Sequence, residues 1–240
     1  NILNSLAEVY EWMQVDSGLA VADRAIVLGL QLNYQKGLAD AYLLKVNLLH
    51  YKGEIKEREK LLEKVLMITA NINDKNSLAE YYLQLARIRQ GNERLALSRK
   101  ALEVYSQTNN ALGIGRASFF LGRHVHSLSG GGIKDSTRYV YNARDIFQKL
   151  GNQPWLGFSW CEIGIQTDDN LKREEYAKNG LRIAQKENVL QVMGSAYFVL
   201  AINYMETAQH VQSLENWLKS LNIAEQVGSI EKQISVSGSI

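Results

Sequence analysis

The sequence has one proline, Pro154, and one cysteine, Cys161, among its 240 residues. With a single proline, long helices are permitted almost everywhere. One cysteine excludes an internal disulfide and fits a reducing compartment, so we expect a cytoplasmic protein. No run of 18 apolar residues occurs, which excludes a transmembrane helix in this segment. Strand signals are missing too, because no sustained apolar and polar alternation is bounded by Asn-Gly or Asp-Gly turns.

An excess of charge of either sign is also lacking. The 27 basic and 25 acidic residues give a formal net charge of +2, which offers no whole-chain argument for nucleic acid or for an anionic membrane. The sequence contains no Gly-x-Ser-x-Gly, no His-Glu-x-x-His and no dinucleotide fingerprint. We therefore expect no enzyme and no cofactor.

Three weaker signals for a chemical site have simpler explanations. The glycine-rich segment 129–136 lacks the frame of a phosphate-binding loop and follows a helix, so it is interpreted as an inter-helix loop. His124 and His126 are two residues apart and point in different directions on a helix, so they do not predict a metal site. Cys161 has no activating base in its own segment and is interpreted as a small apolar core residue.

What the sequence does contain is one small residue that recurs six times in the same local setting. The gaps between successive members are 39, 40, 36, 42 and 37 residues. A second small-residue series runs behind the first with gaps of 40, 36, 42, 37 and 40 residues. The first series is Ala7, Val46, Ala86, Gly122, Gly164 and Ala201, and the second is Ala25, Val65, Ala101, Ala143, Gly180 and Ser220. Two series in near lockstep predict a helical repeat array.

Each repeat reads as two helices joined by a short turn. A bulky residue usually lies four positions before the first small residue, on the same helix face, as Tyr42, Tyr82 and Trp160 do. Helix-ending residues follow each second helix, near Asn33, Asn73, Asn109, Gly151, Asn188 and Gly228. Helix pairs with short loops pack in antiparallel fashion.

This order of bulky residue, small residue, turn and second small residue resembles the tetratricopeptide repeat, with a longer period and no proline at the repeat end. It is similar to the long repeats of bacterial signalling and regulatory proteins and of Rap-type receptors. The resemblance implies an all-α protein, an alpha-alpha superhelix of about six helix pairs, with a concave face lined by first helices. It covers residues 1–228 as a single solenoid. Its repeats are 1–35, 36–75, 76–111, 112–153, 154–189 and 190–228, and 229–240 is a tail or the start of a capping or linking helix.

Candidate site residues follow from the family's ligand-contacting offsets, carried over to this sequence. They place basic, amide and aromatic side chains in the middle of the concave face, and apolar side chains such as Phe158, Phe198 and Ile202 toward its C-terminal end. Arginine forks can hold carboxylates, and asparagine can bond a peptide backbone. The predicted partner-binding residues are Asn47, His50, Arg87, Arg116, Phe119, Arg123 and His126.

The sequence thus predicts a non-catalytic scaffold that binds a protein segment or peptide of unknown identity, as the sensor or regulatory part of a larger signalling protein. Two alternatives stay open. One is a self-assembly module that forms homodimers through Trp12, Trp155 or Trp217. The other is a domain of a transcription regulator that senses a small ligand.

Overall fold

The computed structural model describes residues 2–129 and 134–238. Every regular element in this part of the chain is an α-helix, and the helices alternate with short turns. The thirteen helices are α1 (Ile2–Glu11), α2 (Val15–Gln31), α3 (Gln35–Tyr51), α4 (Ile55–Ile72), α5 (Lys75–Ala86), α6 (Gly91–Gln107), α7 (Ala111–Ser129), α8 (Lys134–Leu150), α9 (Gln153–Ile165), α10 (Asn170–Glu187), α11 (Leu190–Glu206), α12 (His210–Val227) and α13 (Ile230–Ser237). The all-α prediction is confirmed. Residues 130–133 of the predicted glycine-rich loop lie outside the described residues, and α8 already begins at Lys134.

The second helix of each pair ends at a residue with a left-handed backbone. These residues are Asn33, Asn73, Asn109, Gly151, Asn188 and Gly228, with φ between 50° and 77°. Glycine and asparagine tolerate this conformation best, which lets the chain reverse directly into the next helix. Side-chain caps open several of the next helices: Asp74 accepts from the Ser77 backbone N–H at 3.4 Å, and Asn152 from that of Trp155 at 3.2 Å. The six predicted helix ends are confirmed.

Both predicted small-residue series are buried at every position. Their size matters where two helices approach closely. A Cβ at Gly164 would lie 3.0 Å from Cγ1 of Val199 on α11. A Cβ at Gly180 would lie 2.7 Å from Sγ of Cys161 and 3.1 Å from the Gly157 carbonyl oxygen on α9. The packing register inferred from the sequence is therefore the register of the structure.

A ring on the first helix is paired with a cation on the second helix of the same repeat. The ammonium lies 4.4–5.6 Å from the ring centroid in three pairs, which are Tyr42 with Lys64, Tyr82 with Lys100 and Tyr197 with Lys219. Such contacts stabilise by about 0.5–1 kcal/mol at exposed sites. Where the ring is replaced by Ser118, the cation is replaced by Asn142, whose Nδ2 donates to the serine hydroxyl at 3.4 Å.

A polar residue seven positions before the second small residue holds the end of the first helix. Arg173 donates from Nε to the carbonyl of Gly164 at 3.3 Å, and Ser213 donates to that of Ala201 at 2.9 Å. Arg94 donates from Nε to the Arg89 carbonyl at 2.7 Å. These hydrogen bonds tie the second helix of a repeat to the backbone near the end of the first helix; the Gly164 carbonyl also accepts from the Thr167 N–H at 3.5 Å.

The chain divides into two compact parts, an N-terminal half (Asn1–Ala117) and a C-terminal half (Ser118–Ile240), with the division inside α7. In the N-terminal half, Leu61, Leu62 and Val65 of α4 pack with residues of α3. In the C-terminal half, Val236 of α13 packs against Ala201 and Trp217. No helix among residues 2–129 and 134–238 is long and apolar enough to cross a membrane.

Candidate binding faces

The predicted site residues lie on first helices, except Arg87, which directly follows the end of α5, and they fall in both halves. We call the surface that carries them in each half the first-helix face of that half. The N-terminal half contains Asn47, His50, Arg87 and Arg116, and the C-terminal half contains Phe119, Arg123 and His126.

On the N-terminal half, the fork of Arg116 is already filled. Its Nη1 and Nη2 donate to the two carboxylate oxygens of Glu80 at 2.8 and 2.9 Å. Glu80 also accepts from the Tyr105 hydroxyl at 2.6 Å and from Nε2 of Gln84 at 2.8 Å. Bidentate pairs of this kind are the strong form of an arginine–carboxylate contact. A ligand carboxylate would have to displace Glu80 to reach Arg116.

The charges of this pair stabilise each other against burial. Burial opposes ionisation of Glu80, but the Arg116 guanidinium and the Tyr105 hydroxyl outweigh it and lower the pKa of Glu80. Burial likewise disfavours charged Arg116, yet Glu80 raises the pKa of Arg116 above its usual value. The same carboxylate adds to burial in raising the pKa of Tyr105, which stays a hydrogen-bond donor.

Arg87 and Asn47 are brought together, as the sequence register predicts, but they bond to each other. Arg87 Nη1 donates to Asn47 Oδ1 and, at 3.3 Å, to Gln84 Oε1. Asn47 is buried and also bonds Glu11, which accepts from the Tyr51 hydroxyl at 3.2 Å. Burial raises the pKa of Glu11, and the nearby Arg116 charge only partly offsets the effect.

His50 lies beside this network, half-buried, with its ring edge-on to Tyr51 at a centroid distance of 5.5 Å. The first-helix face of the N-terminal half is thus a polar network whose cations already contact groups of the same chain. Its two arginines, Arg87 and Arg116, therefore do not form the basic patch that the sequence suggests.

On the C-terminal half, Arg123 is the accessible cation of the predicted set. Its side chain is 46% exposed, against 20% for Arg116. Nε lies 3.1 Å from Oε2 of buried Glu162, and the guanidinium carbon lies 5.8 Å from the Phe119 ring centroid. Glu162 in turn accepts from Nε2 of Gln166 at 2.9 Å. Glu162 therefore orients Arg123 from one side and leaves much of the guanidinium in solvent.

Phe119 is buried and supports Arg123 as part of an aromatic cluster. It packs edge-on against Trp155 at 5.5 Å, and Trp155 stacks on Phe147 at 5.6 Å. Of the tryptophans predicted as outer dimer contacts, Trp155 is half-buried within this cluster and Trp217 is not an outer residue. Trp217 is only 4% exposed, packed edge-on against Phe198 at 4.9 Å. The third proposed contact, Trp12, is half-buried beside α1.

The first helices that follow α7 in the C-terminal half, α9 and α11, carry partly accessible apolar residues. Phe158, Ile165, Phe198 and Ile202 are half-buried, and Met205 is 49% exposed. Cys161 among them is buried, and burial raises the pKa of its thiol to about 12, which agrees with a packing role.

One charged residue of this region comes from a helix that sequence reasoning left unassigned. Lys232 of α13 places its Nζ 5.8 Å from the Phe198 ring centroid. Burial lowers the pKa of Lys232; the carboxylates of Glu231 and Glu162 oppose this shift and the Arg123 guanidinium adds to it. Helix α13 begins with a serine cap, in which Ser229 accepts from the Lys232 N–H at 3.3 Å. A serine at this position is the sequence signal that could have predicted the helix.

His126 is half-buried on the last part of α7. In the part of the chain that the structure describes, no three His, Cys, Asp or Glu side chains come together as metal ligands would. Among the predicted site residues of the C-terminal half, the accessible cation is therefore Arg123, which lies beside the aromatic ring of Phe119.

Comparisons with known proteins agree with this architecture. No protein-family model matches the chain, and no curated protein matches it. Among solved structures, the apo form of RapI has a TM-score of 0.70 at 15% identity, covering 94% of this chain and 83% of RapI. A Rap protein complexed with Competence and Sporulation Factor has a TM-score of 0.67 at 12% identity, covering 98% and 78%.

Two further structures extend the comparison. BtubC (BKLC) from P. vanneervenii has a TM-score of 0.62 at 15% identity, with coverage of 87% of this chain and 90% of that one. A STAND protein from Pyrococcus horikoshii with a tetratricopeptide repeat sensor has a TM-score of 0.52 at 14% identity, and the match spans 41% of it. At these identities the likeness shows the fold, which is a tetratricopeptide-like helical repeat.

Proposed function

We propose that this chain is a non-catalytic binding domain that holds an extended peptide or protein segment on the first-helix face of its C-terminal half. The observation that carries the proposal is the half-exposed Arg123, backed by Glu162 and Phe119, together with half-buried apolar side chains on the first helices that follow α7. A guanidinium fixed on one side and open on the other suits a ligand carboxylate, while the apolar side chains suit neighbouring aliphatic or aromatic groups.

The comparisons support the same class of function. One similar structure is a Rap protein in complex with Competence and Sporulation Factor, so this type of helix array can hold a second molecule. Another carries such repeats as the sensor of a STAND protein that is much longer than the matched part. We extend this to the present chain as a regulatory or sensor domain, with residues 1–228 as one array of six repeats.

The test uses a displayed library of random peptides with free C-termini, selected on the immobilised chain. Retained peptides should combine a carboxylate with apolar residues. Arg123→Ala should weaken their binding by more than about tenfold, the usual range for a lost charged contact at a binding site. Arg182→Ala, an exposed arginine on second helix α10, is the matched control and should bind as the wild type does.

Circular dichroism of each variant shows whether the helices are retained. A peptide pool that binds Arg123→Ala as tightly as the wild type would overturn the assignment of this face. Enrichment of no peptide, together with a melting shift caused by a small metabolite, would favour the small-ligand sensor instead, since a ligand at 100 times its Kd stabilises by about 2.7 kcal/mol.

A further inference from the structure

Helix α13 has one lysine on the side that faces the preceding repeats. Lys232 and Val236 are four residues apart and therefore share a side of the helix. Val236 is fully buried against Ala201 and Trp217, and Nζ of Lys232 lies 5.8 Å from the Phe198 ring centroid. The ammonium is thus on the side of α13 that packs onto α11 and α12, so its surroundings are formed by helices that come before it in the chain.

The positive charge of Lys232 is in an unfavourable position. The residue lies in the first turn of α13, where the helix dipole disfavours a cation. Burial lowers the pKa of its amine, and the Arg123 guanidinium adds to this shift. Among residues 2–129 and 134–238, no carboxylate forms an ion pair with it. Since a partly buried cation is normally paired, this one is open to an anion from outside the chain.

The two carboxylates whose charge Lys232 senses, Glu231 and Glu162, do not contact it. Glu231 is exposed and adjacent in sequence, and neighbouring residues of a helix do not face each other. Buried Glu162 has its Oε2 3.1 Å from Nε of Arg123, and its Oε1 accepts from Nε2 of Gln166 at 2.9 Å. Arg123 and Lys232 therefore share one buried carboxylate, which leaves one positive charge over on this part of the C-terminal half.

We propose that Lys232 and Arg123 together bind a single carboxylate of the peptide at the first-helix face of the C-terminal half. This inference rests on the proposed function and adds the second cation of the site. The one positive charge left over matches a carboxylate, whereas a phosphate dianion would leave excess negative charge beside buried Glu162. The arginine fork gives direction, and the lysine adds a point charge. Because the half-buried Phe198 ring lies beside Lys232, we expect an apolar group of the peptide next to this carboxylate.

The test combines Lys232 variants with peptides that differ only in their carboxylate. The peptides are those that the wild-type chain retains in the library selection. Lys232→Met removes the charge, keeps the length of the side chain and should weaken binding by more than about tenfold. Lys232→Arg should stay within about threefold of the wild type, since it keeps the charge and its donors. Lys186→Met, at a lysine of α10 whose side chain is 82% exposed, is the matched control and should bind as the wild type does.

Removal of the peptide carboxylate identifies its source. Amidation of the peptide removes a C-terminal carboxylate, and replacement of aspartate by asparagine or of glutamate by glutamine removes one from a side chain. One of these changes should make the wild type and Lys232→Met bind equally, and the same change should cancel the effect of Arg123→Ala. If no change cancels the effect of Lys232→Met, or if different changes cancel the two effects, the shared carboxylate is refuted.

Thermal melting separates a binding role of Lys232 from a structural one. Because its ammonium is partly buried without an ion pair, Lys232→Met should melt at or above the wild-type temperature. Weaker peptide binding together with a clearly lower melting temperature would show that Lys232 holds α13 in place, which contradicts the proposal.

The inference and the proposed function fail in different ways. If Arg123→Ala weakens peptide binding and Lys232→Met does not, the peptide site stands and the inference is wrong. If no peptide is retained, the probe is N-acetylphenylalanine, with its carboxamide as the control. In NMR spectra of the chain with ¹³C-dimethylated lysines, the acid should raise the pKa of the Lys232 amine and the carboxamide should not. Lys232→Met identifies the signal, and an acid without effect on it overturns the inference.

Discussion

Two arginines on α7 show how differently the halves use the same kind of residue. Arg116, in the N-terminal half, gives both arms of its fork to Glu80. Arg123, in the C-terminal half, contacts Glu162 through Nε and keeps nearly half of its side chain in solvent. The first is part of the framework and the second is available to a ligand. A cation on a repeat face is available to a ligand only where the carboxylate of the neighbouring repeat leaves part of the guanidinium in solvent.

The largest effect should come from breaking the framework pair. Glu80→Ala leaves the Arg116 guanidinium buried beside Tyr105 without its carboxylate, and we expect the free energy of unfolding to fall by about 3 kcal/mol. Urea denaturation measures it. Glu93→Ala is the matched control, because Glu93 is an exposed carboxylate paired with Arg89 at 3.3 Å, and it should cost less than about 1 kcal/mol. If both variants lose the same free energy of unfolding, the Glu80–Arg116 pair stabilises the protein no more than a surface ion pair does.

A second experiment asks whether the halves share one packing register. Ala86→Phe in the N-terminal half and Gly164→Leu in the C-terminal half should each lower the free energy of unfolding by about 2 kcal/mol, because both overfill a close helix approach. Thermal melting compares them with Gln185→Leu, which adds the same kind of side chain to an exposed position of α10. If either variant melts like the wild type, the small-residue register does not hold in that half.

The smallest expected effect is on how the free energy of unfolding of the N-terminal half depends on pH. Burial raises the pKa of Glu11, so its contribution to stability is present below the unfolded value of about 4.3 and is lost as pH rises through the native pKa. The lowered pKa of Glu80 has the opposite sign, so that its contribution is present above about 4.3 and is lost as pH falls through the native pKa.

Glu11→Gln should therefore remove the loss of stability above about pH 4.3 and leave the acid limb unchanged, with a gain at neutral pH below about 1 kcal/mol. Urea denaturation at a series of pH values gives both limbs. A variant with the wild-type pH profile would show that Glu11 does not titrate differently in the native state.

The sequence allowed the fold to be predicted because its main determinants are local and repeated. Small residues in two series set the helix register, and asparagine or glycine sets each helix end, as Asn73 and Gly151 do. Neither depends on the details of any one contact. The same register correctly placed Arg87 beside Asn47 of the preceding repeat.

Pairing within the candidate site was harder to predict, because it depends on side-chain directions across adjacent repeats. Glu80 and Arg116 hold the same register position in successive repeats, so their opposite charges were visible in the sequence, yet nothing there shows that the fork closes. The tail was ambiguous for another reason. Residues 229–240 contain no complete repeat, and α13 is held by tertiary contacts of Val236.

The pairing of Tyr82 with Lys100, and of Ser118 with Asn142, has a consequence for how such an array can be recombined. The two members of each pair lie on different helices of one repeat, so a single helix moved to a new place would meet the wrong partner. Grafting α5 in place of α7 while keeping α8 would set a tyrosine ring beside the Asn142 amide instead of an ammonium. The smallest exchangeable cassette of this protein is therefore the whole helix pair, cut between one left-handed residue and the next.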